Sequence, residues 1–222
     1  MLICFFTLEG TASTYVVIGD SHSCGTFGSQ LLANRFGRPG NPNSVTLYCA
    51  VSSAPTHWLN GKAPKDIVCK TATSAAPGLK DCSTPGGAMP TAAQIIAQHP
   101  GAEIIIALGT NSLMSSVVPA SYKQLADLVK QNHHSCFWIA PPHLNPAQSK
   151  GFPAGRLEIL ENNLNTFYVD LYTEVRASCG LIDSRPATRG GAVGFQTTDG
   201  VHRTPQAGVY WANEITKFFT WF

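Results

Sequence analysis

Apolar residues in this chain fall into short β-rich runs that alternate with longer stretches of helical period. Residues 15–18, 45–49, 104–108, 137–140 and 181–182 are too short for buried helices and read as strands. Residues 26–35, 92–99, 121–131, 156–179 and 205–219 read as helices. The longest carries Leu157, Leu160, Leu164, Phe167, Leu171 and Val175 at spacings of three and four, with Gly180 as its stop. That stripe reads as core rather than as a cofactor box. In the last helix Val209, Trp211 or Tyr210, Ile215 and Phe218 are expected to be buried. Strands alternating with helices predict a parallel sheet in an α/β domain. Two segments break the pattern. Residues 54–90 are rich in Pro, Gly, Ala, Ser, Thr and Lys and read as a long insertion, and residues 141–155 leave the catalytic end of a strand. Long ordered loops are more often functional than idle, so both are expected to wall a groove.

Two strand ends and one turn before the last helix carry chemistry. The first run stops at Gly19-Asp20-Ser21, a small-residue turn with a hydroxyl at its tip, where an α/β enzyme presents a nucleophilic serine. Taken alone, the tripeptide is also an ordinary strand-to-helix corner with a capping serine. Near the other end, Asp199-Gly200-Val201-His202 places a carboxylate and an imidazole on one turn. A serine hydroxyl needs a base to take its proton, and the imidazole needs a carboxylate to hold its tautomer and stabilise its charge. The strand at 104–108 leads into Gly109-Thr110-Asn111, whose side-chain amide can donate to an oxyanion. Ligands of open parallel sheets bind at the carboxyl ends of the strands, so Ser21 and Asn111 are expected to face one crevice.

In order and approximate spacing, Gly-Asp-Ser, Gly-Thr-Asn and Asp-Gly-Val-His resemble the SGNH hydrolases, the GDSL esterase/lipase family, from about Tyr15 to the C-terminus. The resemblance implies a flavodoxin-like three-layer α/β/α sandwich around a five-stranded parallel sheet. It implies Ser21 as nucleophile, His202 as base and Asp199 as its orienting carboxylate. The oxyanion hole would comprise Asn111 and the Ser21 backbone amide. The family's second block usually supplies a glycine amide as a third donor; by pattern Ser53 stands there, without glycine's backbone freedom. Ser112 follows Asn111 where the family commonly has aspartate. The implied activity is cofactor-free ester hydrolysis, and the preferred substrate class is an O-acetylated carbohydrate or cell-wall glycan. Lipase, lysophospholipase or aryl esterase activity is the alternative. A glycan-binding or glycan-cleaving protein on the same fold is the alternative of another class. Trp58 and His143 are candidate substrate contacts at the groove rim.

Composition narrows the field. The chain has 222 residues, 44% of them hydrophobic and 13% charged, with a net charge of +2. That suits one globular hydrolase domain over residues 14–222 acting on small esters as a monomer. It offers no basic, aromatic-interleaved surface for nucleic acid and no apolar stretch for stable membrane insertion. The first thirteen residues read as a signal-peptide remnant lacking its positive start, or as an N-terminal tail or strand. Removing that segment leaves six of the seven cysteines, an even set suited to a periplasmic or secreted protein. The expected topology suggests Cys24–Cys49 at the catalytic edge, Cys69–Cys82 within the insertion and Cys136–Cys179 at the opposite edge; buried free thiols are the alternative. His22 reads as a capping or packing residue. The adjacent His133 and His134 diverge on most backbones, and no metal site is expected.

Overall fold

A computed structural model describes residues 14–36, 44–62, 65–73, 76–82, 88–113 and 118–219. The expectations for residues 1–13 lie outside that set.

The five expected strands form one parallel core: β1 (Thr14–Gly19), β2 (Ser44–Ala50), β5 (Glu103–Ala107), β6 (Cys136–Ile139) and β7 (Gly180–Ile182). Two further strands, β3 (Ile67–Thr73) and β4 (Ala76–Asp81), extend it antiparallel beyond β2, giving seven in the order β4-β3-β2-β1-β5-β6-β7. The expectation that residues 54–90 form no regular elements is therefore corrected, because α3 (Pro55–Asn60) also lies there. These strands were hidden by their position. β4 contains Pro77 and Gly78, residues a sheet accepts on its edge, where an amide is dispensable.

Side chains alternate across the sheet and feed two cores. From β1, Val16 and Ile18 enter one, with Ile95 of α4 (Ala92–Gln98), Leu125 of α5 (Ser121–Gln131) and Leu164 of α6 (Arg156–Val175). Val17 enters the other, with Leu31 of α2 (Thr26–Phe36) and Trp211 of α8 (Pro205–Phe218). This is the expected three-layer α/β/α arrangement. The six-residue stripe of α6 is buried throughout. The helix stops at Val175, earlier than the periodicity suggested, and Cys179 lies beyond it, bonded to Cys136. In α8 the buried face is Trp211, Ala212 and Ile215. Phe218 is 46% exposed, while Phe219 is buried with its ring edge-on to Phe137 at 5.2 Å. The expectation for Phe218 was one position out: the residue packed into the core is Phe219, just past the end of the helix.

All three suggested cysteine pairs are disulfides. Cys69 and Cys82 join β3 to the residue after β4, across paired strands rather than within a loop. Cys24–Cys49 ties the short α1 (Ser21–Cys24) to the end of β2. No helix among the described residues is long and apolar enough to cross a membrane.

Candidate active site

The register of β1 brings the site together. Gly19 pairs with Cys49 on one side and Ala107 on the other, so the segments following β1, β2 and β5 emerge at one edge. Ser21 begins α1 immediately beyond β1, with Asp20 as its cap accepting from the His22 amide at 3.0 Å. Gly19 is required for packing: a Cβ there would lie 2.1 Å from Ser23 Oγ. The turn can fold this tightly only without a side chain.

His202 arrives from the far end of the chain on a loop closed by the Thr197–Arg203 bridge. Gly200 sits at a φ of +93°, and a Cβ there would meet Leu157 Cδ1 at 2.3 Å. Its carbonyl accepts from the Asn145 amide at 2.8 Å, docking this loop on the segment after β6. Arg203, buried next to His202 in sequence, adds bonds from Nη1 to the Phe195 carbonyl at 3.2 Å and from Nη2 to the His143 carbonyl. Burial lowers its pKa to about 10, with Glu161 opposing the shift.

The geometry fixes proton positions. Asp199 Oδ2 lies 2.7 Å from His202 Nδ1, while Oδ1 accepts from the amides of Val201 at 2.9 Å and His202 at 2.7 Å. Partial burial pushes this carboxyl upward, but the bonds from His202 and Val201 outweigh it and hold the pKa below the ordinary value. An ionised carboxylate only accepts, so Nδ1 carries the proton and Nε2 of the neutral ring is an acceptor. Ser21 Oγ is 3.1 Å from Nε2. These residues were expected together, and they are adjacent across 181 positions of sequence.

Asn111 lies on the short turn Thr110–Ser112 after β5 and donates one Nδ2 hydrogen to the Ser53 carbonyl at 3.0 Å. Its amide has a second hydrogen to offer. Ser53 itself does not fit the expected third donor. It is fully buried, its amide donates to the Ala50 carbonyl at 3.2 Å, and its hydroxyl links Trp58 Nε1 to the Gly19 carbonyl. The neighbouring Ser52 has a φ of +62° and lines the same cavity as Ser21, Asn111 and His202. Ser52, not Ser53, is thus the position whose left-handed backbone favours a glycine. Among the described residues, the amides of Ser21 and Ser52 have no protein acceptor. No sequence signal separated Ser52 from Ser53.

The rim expectations change too. Trp58 is fully buried in the core and is not a substrate platform. Its aromatic area outweighed the polarity of its surrounding segment. His143 is half-buried, bonded through Nδ1 to Glu161, and does not line the cavity. His22 is buried with its ring 5.6 Å from those of both His202 and Trp211. Burial, then the positive charge of Arg203 and that of His202 when it is protonated, hold its pKa well below normal, so the ring stays neutral. Its Nε2 has no partner among the described residues. No metal-binding cluster of His, Cys, Asp and Glu occurs among them.

Asp20 is the unusual acid. Burial drives its pKa to about 7, against the His22 amide bond and the charge of His202, which lower it. Its folded pKa exceeds the unfolded one, so the native state loses stability as pH rises from about 4 to 7. Asp20→Asn keeps an oxygen for the His22 amide without acquiring charge. Urea unfolding is expected to show this variant gaining on the wild type between pH 4 and 8 by on the order of 3 kcal/mol. Equal differences at both pH values would contradict this origin.

No family model and no curated protein sequence matches the chain. Solved structures do. A protein from Slackia heliotrinireducens assigned to the SGNH hydrolases superposes over 94% of this chain and 99% of its own, at a TM-score of 0.62 and 13% identity. One from Agrobacterium tumefaciens assigned as an arylesterase covers 94% and 98%, at 0.57 and 15%. A GDSL-like lipase from Bacteroides thetaiotaomicron covers 94% and 88%, at 0.57 and 14%. Together with the strand order and the crevice at the carboxyl ends of β1, β2 and β5, these likenesses show that the chain has the SGNH hydrolase fold.

Proposed function

We propose that this protein is a serine esterase working through an acyl-enzyme, with Ser21 as nucleophile. The observation that carries this reading is the continuous contact from Asp199 through His202 to Ser21, at 2.7 and 3.1 Å. Ser21 Oγ attacks the ester carbonyl as His202 Nε2 takes its proton. The tetrahedral oxyanion is held by Asn111 Nδ2 and the amides of Ser21 and Ser52. His202 then returns the proton to the departing alcohol, and the carbonyl re-forms as an acyl-Ser21 ester. Water, deprotonated by the same imidazole, releases the acid and restores the serine hydroxyl. No step calls for a cofactor.

The first substrate class to test is an O-acetyl ester of a carbohydrate; lipid and aryl esters are the second. A cavity of about 320 Å³ opens beside Ser21, large enough for an alcohol portion well beyond a methyl group. Glycoside cleavage finds less support: it needs two carboxylates flanking the scissile bond, and among the described residues no acid lines this cavity. Three disulfides favour an oxidising, extracytoplasmic setting.

The test is covalent labelling. A fluorophosphonate is expected to modify Ser21, read by mass spectrometry of the peptide bearing it. Acetate release from acetylated xylan or peptidoglycan then addresses the substrate. Labelling elsewhere with Ser21 untouched would remove it as nucleophile.

A further inference from the structure

The cavity beside Ser21 has two kinds of lining. Leu144, Phe152, Leu160 and Val201 supply an apolar wall next to the nucleophile. Lys65 and Arg156 line the same space, are exposed, and come from separate segments, the connection before β3 and the first turn of α6. Neither has an ion-pair partner among the described residues, whereas Lys123, Arg185 and Lys217 each do. Arg156 also stands at the first position of a twenty-residue helix, where the helix dipole disfavours a cation. Its placement gains nothing for α6. No acid lines the cavity among the described residues, so its charged lining is cationic, the arrangement that draws an anion inward.

We propose that the alcohol portion of the ester hydrolysed here bears an anionic group, a carboxylate or a phosphate, held by Arg156 and Lys65 while its apolar part rests on the Leu144–Phe152–Leu160–Val201 wall. This rests on the esterase reading above. Arginine's planar fork matches both anions, and lysine adds a point charge. Acetyl esters of acidic sugars and of phosphorylated alcohols share this chemistry; those of neutral sugars do not.

Three aryl acetates separate the sources: 4-acetoxybenzoate, 4-acetoxyphenyl phosphate and the neutral methyl 4-acetoxybenzoate. The kcat/KM ratio of anionic to neutral ester is expected to exceed 1 and to fall with added salt. In Arg156→Gln and in Lys65→Gln it should drop about fivefold each, the scale of a partly exposed charge pair. Lys123→Gln, a change outside the cavity, should keep the wild-type ratio. The larger of the two anionic ratios identifies carboxylate or phosphate as the natural group. Ratios insensitive to both cavity substitutions would overturn the proposal. Calorimetric titration of Ser21→Ala with the same three esters reads recognition without turnover. Turnover without charge discrimination sinks this inference alone. Charge-selective binding by Ser21→Ala, with no ester hydrolysed by the wild type, sinks the esterase reading and leaves the anion site standing.

Discussion

Ser21→Ala and His202→Ala are each expected to lower kcat for ester hydrolysis by about 10⁴- to 10⁶-fold, and the double variant to lose little more than either. The non-additivity is the informative part. If His202 acts only by taking the proton of Ser21, removing the base has little left to cost once the hydroxyl is gone. Stopped assays with an aryl acetate at saturating concentration measure all three proteins. Thermal melts check that the fold persists, which the geometry supports: both side chains lie at the cavity, outside the two hydrophobic cores. Ser21→Ala hydrolysing at the wild-type rate would remove the nucleophile assignment, and losses that simply multiply would remove the shared role.

The second large effect is expected from Asp199→Asn, about 10⁴-fold in kcat near neutral pH. Asp199 Oδ1 is held by two backbone amides, so the substituted amide keeps its oxygen there and turns its NH₂ towards His202 Nδ1. Nδ1 must then accept, which moves the ring proton to Nε2 and leaves no lone pair for the Ser21 hydroxyl. Geometry survives while the tautomer is wrong. Nitrogen-15 NMR of the His202 ring distinguishes the two: the Nδ1–H resonance of the wild type should be replaced by Nε2–H. A variant retaining most of its activity would show that the carboxylate neither sets the tautomer nor stabilises the imidazolium.

These predictions differ in how far they could be written without the fold. Ser21, Asn111, Asp199 and His202 were legible because each sits at a strand end or turn whose local composition is distinctive, and because their combination resembles a family pattern. The parallel strands and principal helices were legible for a related reason. β-branched runs and a three-to-four periodicity are local signals, and burial on the sheet's two faces reinforces them. Edge strand β4 gave no such signal, since half of its requirement is met by pairing and its Pro77 is tolerated only at an edge.

Side-chain exposure was the least legible quantity. Trp58 looked like a rim residue because its neighbours are polar, yet its indole N–H finds Ser53 Oγ at 3.1 Å, which makes complete burial inexpensive. Ser53 and Ser52 are chemically identical in sequence, and only backbone φ and the acceptor of each amide distinguish them. Asp20 reads as part of a turn motif, but its pKa near 7 follows from the packing that removes it from water.

The sequence by itself determined the order of the parallel strands and principal helices and singled out Ser21, Asp199 and His202, because those depend on local conformation and residue chemistry. Tertiary structure alone decided which residues line the cavity, which acids are desolvated, and that Lys65 and Arg156, ninety-one positions apart, share one cavity with Ser21. Exposure, register and long-range electrostatics are properties of where the chain returns, and no window of sequence contains them.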